Sequence, residues 1–263
     1  MPPARLEEVA HHYEEIGGRS PLNKLTFRQA AALEVACGLP VHVGMRNWAP
    51  YIADTLARMA DAGVRRAVGV VLSPHANEAS RERYVDAVEA GRAALGSRAP
   101  EIAWVGEWHR HPRFVAAIGA RIREAAGDVL GRARLVFTAH SVPVATAGPY
   151  VTQLEETAAA VAASLRSAGW LLAYQSRSGP PHEPWLEPDV NDVLRELARA
   201  GVRDVVIAPI GFVCDHVEVL YDLDVEARAT AEAAGIRLVR AATVNDHPEF
   251  VAMLTELVRG AAT

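Results

Sequence analysis

Short runs of β-branched and apolar residues recur along this chain, and an alanine-rich amphipathic stretch follows almost every one of them. That alternation limits the fold more than any other feature. The runs are Val41–Gly44, Ala67–Leu72, Ile102–Val105, Arg134–Thr138, Trp170–Gln175, Asp204–Ile210 and Arg237–Arg240. Between and around them Arg5–Ile16, Tyr51–Ala62, Arg83–Leu95, Arg113–Ala125, Tyr150–Ser167, Asn191–Ala200, Glu218–Ala234 and Glu249–Arg259 read as helices. Gly63, Gly96, Gly201 and Gly235 stand where those helices should end. Strands that are apolar throughout are buried on both faces, so the expected class is α/β with parallel sheets and right-handed crossovers. Seven strands fit one sheet or two. Val105–Pro112 looks like a chain passing between halves and Asn245–Pro248 precedes a last helix that can return to the first half, which favours two.

With 263 residues, half of them hydrophobic, the chain can bury a large core. A net charge of −5 provides no basic footprint for nucleic acid. No apolar run reaches membrane-spanning length, and the stretch Met1–Glu8 lacks the apolar segment of a signal peptide, so a cytoplasmic location is expected. Two cysteines, Cys37 and Cys214, can form neither a disulfide framework nor a four-cysteine iron–sulfur site within one chain.

Two segments read as the carboxyl ends of apolar strands that spill polar groups, the edge where open parallel sheets bind ligands. In Phe137–Pro143, Pro143 keeps the chain out of helix and places His140 on a loop. His140 can accept protons near neutrality, or merely hydrogen-bond loop backbone. In Cys214–Asp224, Asp215 reads as a helix N-cap. Glu218, Asp222 and Glu226 then recur every four residues and form a stripe on one helix face. The stripe is either a solvated acidic face or a path for a divalent cation that relieves like-charge repulsion. Gly17–Asn23 is a turn-rich lip with Ser20 and Asn23 as hydrogen-bonding groups. Arg46 follows the Val41 strand and suits a carboxylate ligand. His75 ends the Ala67–Leu72 strand as His140 ends its own, and Tyr84 starts the next helix. No Walker loop, dinucleotide fingerprint, nucleophile elbow or zincin motif is present.

These segments together resemble the ferrochelatases, and among them the actinobacterial-type coproporphyrin III ferrochelatases. The resemblance runs in order from about His12 to the C-terminus and is carried most specifically by Ala139-His140-Ser141-Val142-Pro143 and by Asp215-His216-Val217-Glu218-Val219-Leu220-Tyr221-Asp222-Leu223-Asp224. It implies two Rossmann-like, chelatase-type domains with a porphyrin cleft between them. The expected division is residues 1–107 with 246–263, and residues 108–245. It further implies that His140 and Glu218 flank the macrocycle centre, that Ser20 and Tyr84 contact the porphyrin, and that Asp222 and Glu226 form an acidic line leading to Glu218. Ser20, Asn23, Arg46, His75 and Tyr84 are thus the expected substrate-binding residues. His140, Glu218, Asp222 and Glu226 are the expected metal-handling ones.

The chemistry so implied is Fe²⁺ insertion into a porphyrin in haem biosynthesis, with His140 as proton acceptor and Glu218 as its acidic partner. Iron is then substrate, no prosthetic group is needed, and no iron–sulfur cluster is expected. The alternatives are a chelatase for another divalent metal such as cobalt, or a porphyrin or haem carrier without activity. Compared with the family pattern, an opening strand with a Gly-rich loop is missing before Arg5. That predicts an exposed sheet edge near Val41 and Ala67, and self-association through it.

Overall fold

The computed structural model describes residues 3–77, 81–167, 169–180 and 182–262, so Glu78–Ser80, shortly after His75, and Pro181 lie outside the described residues. Three helices open the chain, α1 (Pro3–Glu15), α2 (Leu22–Cys37) and α3 (Ile52–Asp61). Then follow β1 (Arg66–Gly69), α4 (Arg83–Leu95), β2 (Glu101–Trp104) and α5 (Pro112–Ala126). The next elements are β3 (Arg134–His140), α6 (Tyr150–Ser164), β4 (Trp170–Gln175), α7 (Val190–Arg199) and β5 (Asp204–Pro209). The chain closes with α8 (Val217–Val219), a π-helical stretch Leu220–Glu226, α9 (Ala227–Ala233), β6 (Arg237–Arg240) and α10 (Pro248–Ala261).

Two parallel sheets result. One holds β1 and β2; the other has the order β4-β3-β5-β6. The helices stop where expected because Gly63, Gly96, Gly201 and Gly235 all take positive φ. Both faces of the larger sheet are covered. One face packs Phe137, Leu135 and Val206 into a core with Phe114, Trp108 and Phe250, which Leu33 of α2 joins from the first half. The other packs Val136, Ile207 and Val205 against Leu194, Leu223 and Ala227. A third, small cluster of Ile52, Leu56 and Met59 lies between α3 and α4, with Ala67 and Tyr84 beside it. Helix α10 packs against both α2 and α5.

Three expectations need correction. Val41–Gly44 is not a strand. Its backbone groups are taken locally: the Val41 N–H by the Glu34 carboxylate (2.9 Å), the Val43 carbonyl by the Thr55 hydroxyl (2.8 Å). Met45 then exchanges backbone bonds with Pro50 and Ile52, which closes a loop where a ladder was expected. His140 is the last residue of β3, not a loop residue, because its strand pairs with Gln175 up to that point. The single helix expected over Glu218–Ala234 is interrupted by π winding, a rare form that occurs mostly at functional sites.

Candidate active site

In the large sheet the chain leaves β3 towards β4 on one side and leaves β5 towards β6 on the other. A crevice opens outside the carboxyl ends of two strands whose connections diverge in this way. His140 ends β3 and the loop 210–216 follows β5, so both face that crevice. The loop enters tightly. Gly211 donates its N–H to the Thr138 carbonyl (3.2 Å), and a Cβ on it would come within 2.8 Å of the Ala139 Cα. Glycine is required there by close backbone approach.

The His140 ring is three-quarters buried, with 27% of its side chain exposed. Its Nδ1 is hydrogen-bonded to the Ser141 carbonyl, which can only accept, so Nδ1 carries the hydrogen. In the neutral imidazole Nε2 then keeps its lone pair, 4.0 Å from Glu218 Oε2. The buried Tyr150 hydroxyl donates to the His140 carbonyl (3.2 Å) and steadies the strand end. Glu218 is half exposed and also lies 3.9 Å from His216 Nδ1. His216, not Asp215, caps the helix start: its Nδ1 accepts from the Glu218 N–H at 3.2 Å. Burial holds its pKa below the ordinary imidazole value, against the opposing pull of Glu218. The Phe212 ring meets His216 edge-on at 4.6 Å and lies 6.4 Å from His140.

Asp222 is the next carboxylate along. Burial pushes its pKa up to about 7, and the charges of Glu226 and Glu218 add to that rise. The Ser176 hydroxyl and the Gln175 amide (3.4 Å) donate to its Oδ2 and oppose it. Gln175 also donates to the Glu218 carbonyl at 3.3 Å. Since Gln175 is the ladder partner of His140, the β3–β4 register places His140 beside the support of Asp222. His140, Glu218, Asp222 and Glu226 are therefore sequential neighbours. Among the described residues they do not converge into a cluster of three or more ligands around one point. An imidazole and separate carboxylates arranged in this way offer a proton acceptor and single oxygen donors for a cation.

The expected binding residues fall into separate groups. Arg46 stacks over the Tyr84 ring, 5.4 Å from its centroid. Asn23 donates to the Ala49 carbonyl (3.3 Å), and Ser20 Oγ accepts from the Leu22 N–H (3.3 Å), so the lip and the Arg46 loop are joined. His75 is placed elsewhere. It is buried, 2.9 Å from the Thr157 hydroxyl, and it stacks edge-on with Tyr150. Burial, then the neighbouring His109, lowers its pKa to about 3, so it stays neutral. Gln175, Ser176 and Phe212 carry parts of the site that residue reading left unassigned. Ser176 is marked only in the backbone, by a φ of 63° that a serine seldom adopts.

The fold and this crevice define a chelatase-type α/β protein. SirB from Bacillus subtilis with Fe³⁺ superposes with a TM-score of 0.65 over 90% of this chain and 89% of that one, at 16% identity. CbiX, described as the terminal enzyme for biosynthesis of siroheme in denitrifying bacteria, superposes with a TM-score of 0.61 over 92% and 94%, at 17% identity. The family model for ferrochelatase matches residues 1–262. The coproporphyrin III ferrochelatase of Mycolicibacterium paratuberculosis is 46% identical over 98% of this chain and 78% of its own length. The chain belongs to the ferrochelatase family. No helix among the described residues is long and apolar enough to cross a membrane.

Proposed function

We propose that this chain is a metal-inserting lyase that places Fe²⁺ in coproporphyrin III, a step of haem biosynthesis. The observation that carries the reading is the geometry of His140: with Nδ1 bonded to the Ser141 carbonyl, the neutral imidazole directs the lone pair of Nε2 into the crevice, 4.0 Å from Glu218. The similarity to named coproporphyrin III ferrochelatases supports the substrate.

Insertion exchanges two pyrrole protons for one Fe²⁺. His140 Nε2 accepts a pyrrole proton, which general-base catalysis makes about 10²–10⁴-fold faster. Glu218 stabilises the imidazolium and hands iron towards the ring. Asp222, poised near neutrality, takes protons on from the ring side and releases them to solvent. Arg46, beside Tyr84, meets a propionate, while Ser20 and Asn23 line the lip. Weak, stepwise ligation suits an ion that must leave the protein. Residues 1–107 with 246–263 serve as the gripping unit and 108–245 as the reacting unit, with α10 joining them.

No resident iron–sulfur cluster is needed. Burial pushes the Cys214 thiol up to about 12, and it donates to Gln29 Oε1 at 3.2 Å. The cytoplasm is the proposed location, and self-association through the smaller sheet belongs to the same reading. The test is anaerobic insertion: with Fe²⁺ and coproporphyrin III, the free-base absorption bands should be replaced by those of the metalloporphyrin, faster than with Co²⁺. Tight porphyrin binding without turnover would overturn the proposal in favour of a carrier.

A further inference from the structure

Arg240 ends β6, on the far side of the large sheet from His140, where an arginine would ordinarily face solvent. Only 13% of its side chain is exposed. Its guanidinium grips the Asp224 carboxylate with two bonds, Nε to Oδ1 at 2.9 Å and Nη2 to Oδ2 at 2.6 Å. Its Nη1 donates to Asp215 Oδ1 at 3.0 Å and, more weakly, to the Ala241 carbonyl at 3.4 Å. Asp224 lies inside the π-helical stretch, two residues beyond Asp222. Asp215 immediately precedes His216, the cap of α8, in which Glu218 is the second residue.

The network extends beyond Asp215. Asn245 donates from Nδ2 to Asp215 Oδ2 and accepts at Oδ1 from the Asp215 N–H, both at 3.0 Å. Gln29 of α2 donates to the carbonyls of Val213 (3.1 Å) and Asn245 (2.7 Å). One connected set of buried and half-buried bonds thus runs from α2 to the loop that carries His216. Arg240 joins that loop to the π winding. Arg228 also touches Asp224 from the exposed side: its Nη2 lies 3.4 Å from Oδ1 and its Nε donates to the Asp224 carbonyl at 3.1 Å.

We propose that Arg240 is a positioning residue for metal insertion: it locks the π-helical turn to the 213–216 loop and so sets Glu218 and Asp222 against His140. This inference rests on the ferrochelatase reading of the site. The physical reason is twofold. A π turn is a rare winding found mostly at functional sites, and here Arg240 bonds to its Asp224 from outside. Two weakly exposed carboxylates also repel unless a cation lies between them. Only a planar fork can hold one carboxylate with two bonds and a second one with a third; a lysine offers a single point charge.

The test compares wild type with Arg240→Gln, Arg240→Lys and Asp224→Asn, using Fe²⁺ and coproporphyrin III, and follows amide hydrogen exchange on each protein. In Arg240→Gln, kcat should fall about tenfold or more with KM for porphyrin within about twofold, as expected of small displacements at reacting groups. Arg240→Lys should recover part of the loss. Exchange over residues 217–227 should quicken while that of β3 and α6 stays unchanged. Wild-type kcat together with unchanged exchange in Arg240→Gln overturns the inference, and so does exchange that quickens equally in β3. If Arg240→Gln does not fold, Asp224→Asn carries the same expectations with a smaller loss. If wild-type protein inserts no iron, the functional reading fails, and the exchange pattern alone decides the role of Arg240.

Discussion

The two sheets differ in how firmly they are held, and the difference runs parallel to the division of labour proposed for them. In β3 five consecutive residues, Leu135–Ala139, are buried, and in β5 the five from Val205 to Pro209. In β1 and β2 no residue is fully buried. The same half exposes Phe27, Trp48 and, at 85%, Val35. The groups proposed to meet a reacting atom, His140 at the end of β3 and Glu218 after β5, sit by strands packed on both faces, where their positions are least free. The groups proposed to grip the porphyrin, Ser20, Asn23, Arg46 and Tyr84, sit on loops and helix starts of the looser half. Local stability is lowest where a protein must adapt to a ligand.

Substitutions can break that comparison. The largest effect should come from His140→Ala in the rigid half: turnover should fall by about 10²–10⁴-fold while porphyrin affinity, read by fluorescence quenching, is kept. Insertion near the wild-type rate would show that another group takes the pyrrole proton. Glu218→Gln should reduce kcat by about tenfold or more, Asp222→Asn and Glu226→Gln by clearly less, because Glu218 lies 4.0 Å from His140 Nε2 while the other two follow further along the helix. Equal losses at the three positions would reduce the acidic line to a diffuse patch.

Smaller effects sharpen the comparison. Arg46→Ala, in the looser half, should raise KM for porphyrin by about three- to tenfold and leave kcat nearly unchanged, the mark of uniform binding. A kcat loss as large as that of Glu218→Gln would place chemistry in both halves. The last effect is thermodynamic. Asp222 has its pKa raised from 3.8 to about 7, chiefly by burial. As pH rises through that interval the unfolded chain gives up this proton before the folded one does, so Asp222 costs the fold more and more stability until about pH 7. The melting temperature of Asp222→Asn relative to wild type should therefore climb between those values and level off above. A difference independent of pH would mean that Asp222 ionises as an ordinary surface carboxylate.

Much of this was readable from residues. Strands β4 and β6 and helix α4 fall on the expected residues, because apolar runs bounded by glycine leave few registers open. His140 and Glu218 stand out because each ends or follows a strand in a polar cluster. Arg240, Gln175 and Ser176 could not be found in that way. An arginine at the end of a short strand looks exposed, and nothing local shows that Asp215 and Asp224 lie on either side of it. Val41–Gly44 misled for the opposite reason: its composition is that of a strand, but a strand exists only through a partner, and Glu34 and Thr55 take its hydrogen bonds first.

By itself the sequence determined the alternation of strand and helix, the carboxyl-end placement of His140 and the acidic spacing from Glu218, since these follow from periodicity and from residues that stop helices. Only the tertiary structure decided the strand order that makes β3 and β5 the walls of one crevice. It also decided the π winding under Asp222, the retreat of His75 into the core and the buried fork of Arg240. Those depend on contacts between residues far apart in the chain, whose energies no local pattern records.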